Sequence, residues 1–109
     1  MAIELSSEIF EAEVVKSSLP VLVDFWGPKC SSCLALMPSV EKLEEKYQGR
    51  FKITKVDASK NRRLCIGVKV LGLPTFLIYK DGKEMARLNG EALTIGEIET
   101  AMEKVLSGK

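Results

Sequence analysis

The sequence has no histidine and only three cysteines among its 109 residues. A zinc site built from all three cysteines would need a carboxylate or a second chain as its fourth ligand. Any proton transfer must use a group other than imidazole. Three cysteines do not suggest a disulfide scaffold, and in a reducing cytosol a close cysteine pair is more often catalytic or metal-binding.

The chain also lacks a strong net charge and a long apolar run. Its formal net charge of +1 argues against a nucleic-acid or membrane surface that depends on bulk electrostatics. Its first twenty residues carry acids where a signal peptide needs a basic start and an apolar run. We therefore expect a cytoplasmic protein without nucleic-acid or membrane partners. The most basic run, Lys60-Asn61-Arg62-Arg63, is interpreted as a solvated loop or helix end.

The hydrophobic pattern predicts one α/β domain over residues 1–109, because no repeat, linker or low-complexity stretch divides the chain. Strands are predicted over residues 3–5, 21–26, 51–57, 75–79 and 84–88. Helices are predicted after Ser6 or Ser7, over residues 30–47 and 59–66, and after the capping-box residue Thr94. The resulting order, β-α-β-α-β-α-β-β-α, predicts a mixed central sheet with helices on both faces.

Cys30 and Cys33 lie where the first long buried strand meets the next helix. At a helix N-terminus the first cysteine is partly free of helical dihedral angles, so the pair can close into a small disulfide ring. Unpaired N–H groups, the helix dipole and the neighbouring Lys29 favour a thiolate on Cys30. Cys33 lies one turn inside the helix and is expected to hold its proton more tightly. The spacing favours Cys30 as the attacking thiol and Cys33 as the resolving thiol.

Asp24 is the candidate proton acceptor for Cys33, through a bridging water. A carboxylate between Val23 and Phe25 is costly to bury, and its pKa is expected to rise. Other interpretations remain open at this point. The cysteine pair could be structural or could bind a metal together with Cys65, and Asp24 could simply terminate its strand. Cys65 itself is interpreted as a packing residue, with a regulatory thiol as the alternative.

These residues together resemble the thioredoxin family over essentially the whole chain. The resemblance depends on the segment Val23-Asp24-Phe25-Trp26-Gly27-Pro28-Lys29-Cys30-Ser31-Ser32-Cys33, followed by Pro38. It also depends on Gly72-Leu73-Pro74-Thr75, Asp81-Gly82 and Gly90, which follow in the family's order at close to its spacing. The resemblance implies a thioredoxin fold, with a mixed sheet of about five strands and four helices.

The resemblance also implies a function and a set of site residues. It implies a thiol-disulfide oxidoreductase that reduces protein disulfides, in which Cys30 attacks, Cys33 resolves and Asp24 is the buried acid. Pro74 would be a cis-proline that faces the disulfide. The residues expected to border the active site or an apolar docking surface are Trp26, Gly27, Pro28, Gly72, Leu73, Pro74, Thr75 and Gly90. A thioredoxin-reductase-like donor would recharge the Cys30–Cys33 disulfide of a monomer that binds no metal and no other cofactor.

The sequence departs from the family pattern between and around the cysteines. Ser31-Ser32 replaces the usual Gly-Pro, which restores a backbone N–H and adds two hydroxyls that can hydrogen-bond a thiolate. Ile53 falls where many members place a lysine on the third strand, so Asp24 is expected to lack its usual charge partner. The alternatives to a reductase are an oxidant or isomerase, and a thioredoxin-fold docking module without redox turnover.

Overall fold

Residues 2–108 are described in a computed structural model, and they form five strands and four α-helices in the predicted order. The strands are β1 (Ile3–Leu5), β2 (Val21–Trp26), β3 (Lys52–Asp57), β4 (Thr75–Lys80) and β5 (Lys83–Asn89). The helices are α1 (Ser7–Phe10), α2 (Ser31–Lys46), α3 (Arg62–Gly67) and α4 (Ile95–Leu106). A π-helical segment, Glu11–Val15, extends α1, and a 3-10 turn, Ala58–Lys60, precedes α3.

The five strands form one mixed sheet in the order β1-β3-β2-β4-β5. β1 and β2 both run parallel to β3, whereas β4 runs antiparallel to β2 and pairs with β5 as a hairpin. The hairpin turn at Asp81 and Gly82 has positive φ at both residues (53° and 79°), as an Asp-Gly turn of this type requires. This architecture confirms the predicted fold class.

The central strand β2 is buried on both faces, as its apolar run predicts. Val21, Val23 and Phe25 pack into a cluster with side chains from α1 and α3. Leu22 packs into a second cluster with side chains from α2 and α4. Burial of each such side chain stabilises the fold by about 1.5–3 kcal/mol. Because side chains alternate along a strand, Asp24 lies on the same face as Leu22, the face that α2 covers.

The third predicted helix, 59–66, is divided in the structure. The Asp57 carboxylate accepts hydrogen bonds from the Ser59 N–H (2.9 Å) and the Ser59 hydroxyl (2.6 Å), which fixes the short 3-10 turn. Asn61 then adopts a non-helical conformation (φ −135°, ψ 49°) and donates its side-chain amide to the Asp57 carbonyl oxygen. Local side-chain bonds of this kind compete with a continuous helix, and α3 begins only at Arg62.

α4 begins with the predicted capping box, in which Thr94 and Glu97 exchange side-chain and backbone hydrogen bonds. The Tyr47 hydroxyl, at the end of α2, lies within hydrogen-bond distance of the carboxylates of Glu99 and Glu103 on α4 and shares its one proton between them. These bonds join the two helices that cover the Asp24 face of the sheet. Within residues 2–108, no helix is long and apolar enough to cross a membrane.

Candidate active site

Cys30 and Cys33 form a disulfide at the first turn of α2, with a Cα–Cα distance of 5.2 Å. Cys30 is the N-cap residue and has an extended backbone conformation (φ −94°, ψ 98°), while Cys33 is already helical. The extended N-cap therefore lets the two side chains meet, as the sequence predicts. The pair lies beyond the C-terminal end of β2, the edge of an α/β sheet where ligand chemistry usually occurs.

The two sulfurs have different surroundings. Cys30 is half-buried, whereas Cys33 is only 2% exposed. The Cys30 Sγ atom accepts a hydrogen bond from the Cys33 N–H (3.2 Å), and the Ser32 Oγ atom lies 3.5 Å from it. A thiolate on Cys30 would keep both of these donors, because an N–H and a hydroxyl each hydrogen-bond a negative sulfur. The geometry therefore makes Cys30 the accessible sulfur.

Cys30 opens onto a shallow groove of about 670 Å³. The groove is lined by Gly27, Pro28, Lys29, Cys30, Ala58, Ser59, Arg62 and Leu73. At Gly27 an added Cβ atom would lie 3.1 Å from the Leu73 Cδ1 atom, so a side chain there would press against the groove wall. Three of the residues predicted to border the site, Gly27, Pro28 and Leu73, thus lie together beside Cys30.

A second groove, of about 540 Å³, adjoins the first at Leu73 and contains Gly72, Thr75 and Gly90. The Leu73–Pro74 peptide bond is cis, as the resemblance implies. The Thr75 hydroxyl donates to the Gly72 carbonyl oxygen (2.6 Å), and the Gly90 N–H donates to the Pro74 carbonyl oxygen (3.2 Å). These bonds hold the predicted docking residues in one place.

The lining of this second groove is more polar than the sequence predicts. Lys69, Arg87 and Glu91 lie on it, although Leu71 beside it is 93% exposed. The groove that contains Gly72, Leu73 and Gly90 therefore has a mixed lining rather than a purely apolar one. Sequence reasoning missed these three side chains because they come from separate segments that only the antiparallel pairing of β4 with β5 brings together.

Trp26 directly precedes Gly27 but is not itself among the residues that line the Cys30 groove. It lines a third groove with Glu4 and Asp57, and its Nε1 atom donates to a Glu4 carboxylate oxygen (3.4 Å). Among the predicted site residues, Trp26 thus contacts β1 and the end of β3.

Asp24 is 2% exposed on the α2 side of β2, and its Oδ1 atom has no hydrogen-bond partner among the described residues. Burial raises the pKa of this carboxyl from 3.8 to about 7. The Lys55 ammonium acts in the opposite direction, and the Glu4 carboxylate adds to the increase. The predicted rise in the pKa of Asp24 is confirmed, with desolvation as its main cause.

Comparison with known proteins identifies the family. The thioredoxin family model matches residues 1–104. The chain belongs to the thioredoxin family. Thioredoxin from Acetoanaerobium sticklandii is 44% identical over 103 residues, which cover 94% of this chain and 98% of the relative. Thioredoxin from Peptoclostridium acidaminophilum is 38% identical (95% and 94% covered), and thioredoxin 1 from a Nostoc species is 33% identical (82% and 83% covered).

Lys55 corrects the expectation that Asp24 lacks the thioredoxin family's charge partner. Parallel pairing of β2 with β3 places Lys55, not Ile53, opposite Asp24. The Lys55 Nζ atom lies 3.8 Å from a Glu4 carboxylate oxygen and 5.8 Å from the centre of the Trp26 ring. Counting along the chain missed this residue because strand register depends on pairing. The alternation of β3, which puts residues 53, 55 and 57 on one face, was the available signal.

Cys65 packs as the sequence predicts. It is a free cysteine, 7% exposed, in the cluster that contains Val23 and Phe25, on the sheet face opposite Asp24. Burial raises the pKa of its thiol and so favours the protonated form. In the part of the chain that the structure describes, no group of three or more His, Cys, Asp or Glu side chains could hold a metal ion.

The disulfide, its placement and the family assignment together give the activity. This thioredoxin-family protein is a thiol-disulfide oxidoreductase with a redox-active cysteine pair, a protein-disulfide reductase of the thioredoxin type. The fold supplies an accessible sulfur at a helix N-cap, a buried second sulfur and a groove beside the first.

Proposed function

We propose that Cys30 is the nucleophile and Cys33 the resolving thiol in the reduction of protein disulfides. The Cys30 thiolate attacks one sulfur of the substrate, forms a mixed disulfide with it and displaces the other substrate sulfur as a thiolate. Cys33 then loses its proton and attacks the Cys30 sulfur, which releases the second substrate thiolate and forms the Cys30–Cys33 disulfide. Two electrons pass to the substrate, whose two thiolates take up protons.

The asymmetry of the two sulfurs is the observation that supports these roles. Cys30 lies on a groove and has two hydrogen-bond donors at its sulfur, whereas Cys33 is buried in α2. A substrate disulfide can reach only an exposed sulfur, and a buried one is protected until the mixed disulfide forms beside it. An intermediate held through Cys30 therefore always has its resolving thiol three residues away.

Asp24 takes the proton of Cys33 in this proposal. Its pKa of about 7 lets it accept a proton at neutral pH and release it to solvent afterwards. Since the chain has no histidine, Asp24 is the buried group best matched to this task. Asp24 lies on the face of the sheet that α2 covers, and Cys33 is a buried residue of that helix.

The substrate would lie across the two grooves that meet at Leu73. An extended segment of the substrate would pair with the Leu73 backbone, while Pro74 faces the disulfide. The other residues proposed to border the bound segment are Trp26, Gly27, Pro28, Gly72, Thr75 and Gly90. Gly27 supports this proposal because a larger residue there would press against Leu73.

The partners follow from this reaction. Substrates are proteins that contain disulfides, and a thioredoxin-reductase-like donor returns two electrons to the Cys30–Cys33 disulfide. We place this activity in the cytoplasm, in a monomeric, single-domain protein over residues 1–109 that uses no bound cofactor beyond its own disulfide. The relatives named above, matched over 82–95% of this chain, support the single-domain proposal.

Reduction of insulin disulfides by dithiothreitol tests the proposed function, with precipitation of the insulin B chain as the readout. The wild-type protein is expected to accelerate precipitation, and Cys30→Ala to abolish the acceleration. Cys65→Ala is the matched control and is expected to retain activity, because Cys65 packs on the opposite face of the sheet. A folded wild-type protein without any activity would favour the alternative of a docking module.

An oxidant or isomerase is the second candidate, and one contact favours it. The Ser32 hydroxyl lies 3.5 Å from the Cys30 sulfur, where it can stabilise the thiolate. A more stable thiolate favours the dithiol form of the protein, and a more stable dithiol makes the disulfide a stronger oxidant. The direction of net electron flow therefore depends on the reduction potential of the Cys30–Cys33 pair.

A further inference from the structure

The groove beside Cys30 has charges of one sign only. Among the described residues, Lys29 and Arg62 line it, and no aspartate or glutamate does. Arg62 belongs to the basic run Lys60-Asn61-Arg62-Arg63, which the sequence suggests is a merely solvated segment. Arg62, the first residue of α3, is exposed as that interpretation expects, and it is also the residue of this run that lines the groove onto which the redox-active sulfur opens.

Among residues 2–108, no carboxylate lies within ion-pair distance of Lys29 or Arg62. The cations that do have such partners are Lys16, Lys46, Lys52, Lys55 and Arg87. Its own helix does not stabilise the charge of Arg62 either. Arg62 occupies the first turn of α3, where the helix dipole disfavours a positive charge and no acidic residue offsets it.

We infer that this groove selects disulfides whose flanking residues are aspartate or glutamate. The inference rests on the proposed function and names the class of substrate that the Cys30 site prefers: an acidic segment of a disulfide-bonded polypeptide. Its carboxylates would approach Lys29 and Arg62 while the substrate disulfide meets Cys30. Leu73 supplies the apolar part of the same groove.

The expected preference is moderate and sensitive to salt. An exposed ion pair contributes little individually, so two cations together give about a three- to tenfold preference for an acidic substrate over a neutral one. The same charges speed the encounter of the two molecules, and salt screens them over about 10 Å at 0.1 M ionic strength. Redox chemistry is unchanged: two electrons pass from Cys30 and Cys33 to the substrate disulfide.

Two synthetic peptides, each closed by one disulfide, test the inference. One has aspartate and glutamate on both sides of its cysteines, and the other has asparagine and glutamine at the same positions. Protein reduced by dithiothreitol and then desalted is mixed with each peptide, and the second-order rate constant of peptide reduction is measured at low and high salt. The acidic peptide is expected to react about three to ten times faster at low salt, with the ratio approaching one at high salt.

Two variants separate the groove from the overall charge. Arg62→Gln is expected to lower the acidic-to-neutral rate ratio by about two- to threefold. Lys42→Gln removes an equal charge from an exposed position on α2 and is expected to leave the ratio at its wild-type value.

A wild-type ratio near one, or an equal loss in both variants, would overturn the inference while leaving the proposed function in place. If folded, reduced wild-type protein reduces neither peptide, the proposed function fails and this inference fails with it.

Discussion

At the scale of a single residue, Asp24 is a carboxyl group whose buried environment disfavours its charged form. Its carboxyl group has almost no solvent contact, and burial raises its pKa to about 7. In the unfolded chain the same group ionises near 3.8. Between pH 4 and pH 7 the unfolded chain has released this proton while the folded protein retains it, so stability falls as the pH rises through that interval.

Replacing Asp24 by asparagine is expected to stabilise the protein at high pH. The difference between a pKa of about 7 and one of 3.8 corresponds to about 4 kcal/mol, fully lost once the pH exceeds the folded-state pKa. Urea unfolding at pH 8 is therefore expected to give Asp24→Asn a free energy of unfolding about 2–4 kcal/mol above that of the wild type. Near pH 4 the two should be almost equal.

The exposed turn residue Asp81 provides the control for this measurement. Asp81→Asn is expected to show the pH dependence of the wild type, because its carboxyl group is exposed in the turn between β4 and β5. If the free energy of unfolding of Asp24→Asn changed with pH between pH 4 and pH 8 as it does in the wild type, burial of the Asp24 carboxylate would not cost the free energy assigned to it.

Glu4 is a second residue with an expected effect on Asp24. The Glu4 carboxylate accepts a hydrogen bond from the Trp26 indole N–H, and one of its oxygens lies 3.8 Å from the Lys55 Nζ atom. The negative charge of Glu4 therefore offsets part of the effect of the Lys55 charge on Asp24. Glu4→Gln is expected to lower the pKa of Asp24, and Lys55→Gln to raise it, as read from the NMR titration of the Asp24 carboxyl carbon. Glu8→Gln, on the same groove, should leave that titration unchanged. Opposite shifts of the Asp24 pKa in Glu4→Gln and Lys55→Gln are the decisive result. Shifts in the same direction would refute the opposing effects of these two charges on Asp24.

At the scale of elements, the first turn of α2 concentrates the chemistry. One N-cap residue, Cys30, supplies both the more accessible sulfur and the acceptor for the Cys33 N–H. The helix continues through Pro38, whose missing N–H leaves the Leu34 carbonyl without its helical donor. The N-terminal cap of α2 therefore depends on the Cys30 sulfur itself. Substitutions at the two residues between the cysteines are expected to change the hydrogen bonds of that sulfur and so its redox properties.

Replacing Ser31-Ser32 by Gly-Pro is expected to make the reduction potential more negative. The change removes the Ser32 hydroxyl from the Cys30 sulfur and so destabilises the thiolate of the reduced protein. For a half-exposed hydrogen bond to a charged group worth about 0.5–1.5 kcal/mol, the shift is about 10–30 mV. Glutathione redox titration of both proteins measures it. An equal or less negative potential in the Gly-Pro variant would remove the argument for an oxidant role.

Elements with strong periodic patterns could be predicted from the sequence, and those fixed by local side-chain bonds could not. The buried run of β2, the Asp81-Gly82 turn and the Thr94 capping box all lie where their patterns predict. The segment after β3 divides into a 3-10 turn and α3 because Asp57 and Asn61 bond to nearby groups. The π-helical end of α1 had no signal in the sequence.

At the scale of the whole molecule, the sheet brings together residues that are distant in the chain. Cys30, Arg62 and Leu73 share one groove because the segments that follow β2 and β3 and precede β4 meet at one edge of the sheet. Local motifs predicted the cysteine pair and Asp24. The charge partner Lys55 was missed because its position depends on strand register. The charged groove could not be predicted, since it depends on how α3 is placed.

Replacing one cysteine at a time tests most directly the central claim that Cys30 attacks the substrate disulfide and Cys33 resolves the intermediate. Cys33→Ser removes the resolving thiol, so attack by Cys30 on a protein disulfide should stop at a stable mixed disulfide. Mass spectrometry of the variant after incubation with a disulfide-bonded protein is expected to show a covalent adduct through Cys30 that dithiothreitol releases. Cys30→Ser, which keeps Cys33 buried, is expected to form none. Absence of an adduct with folded Cys33→Ser, or an equal yield from Cys30→Ser, would contradict the assigned roles.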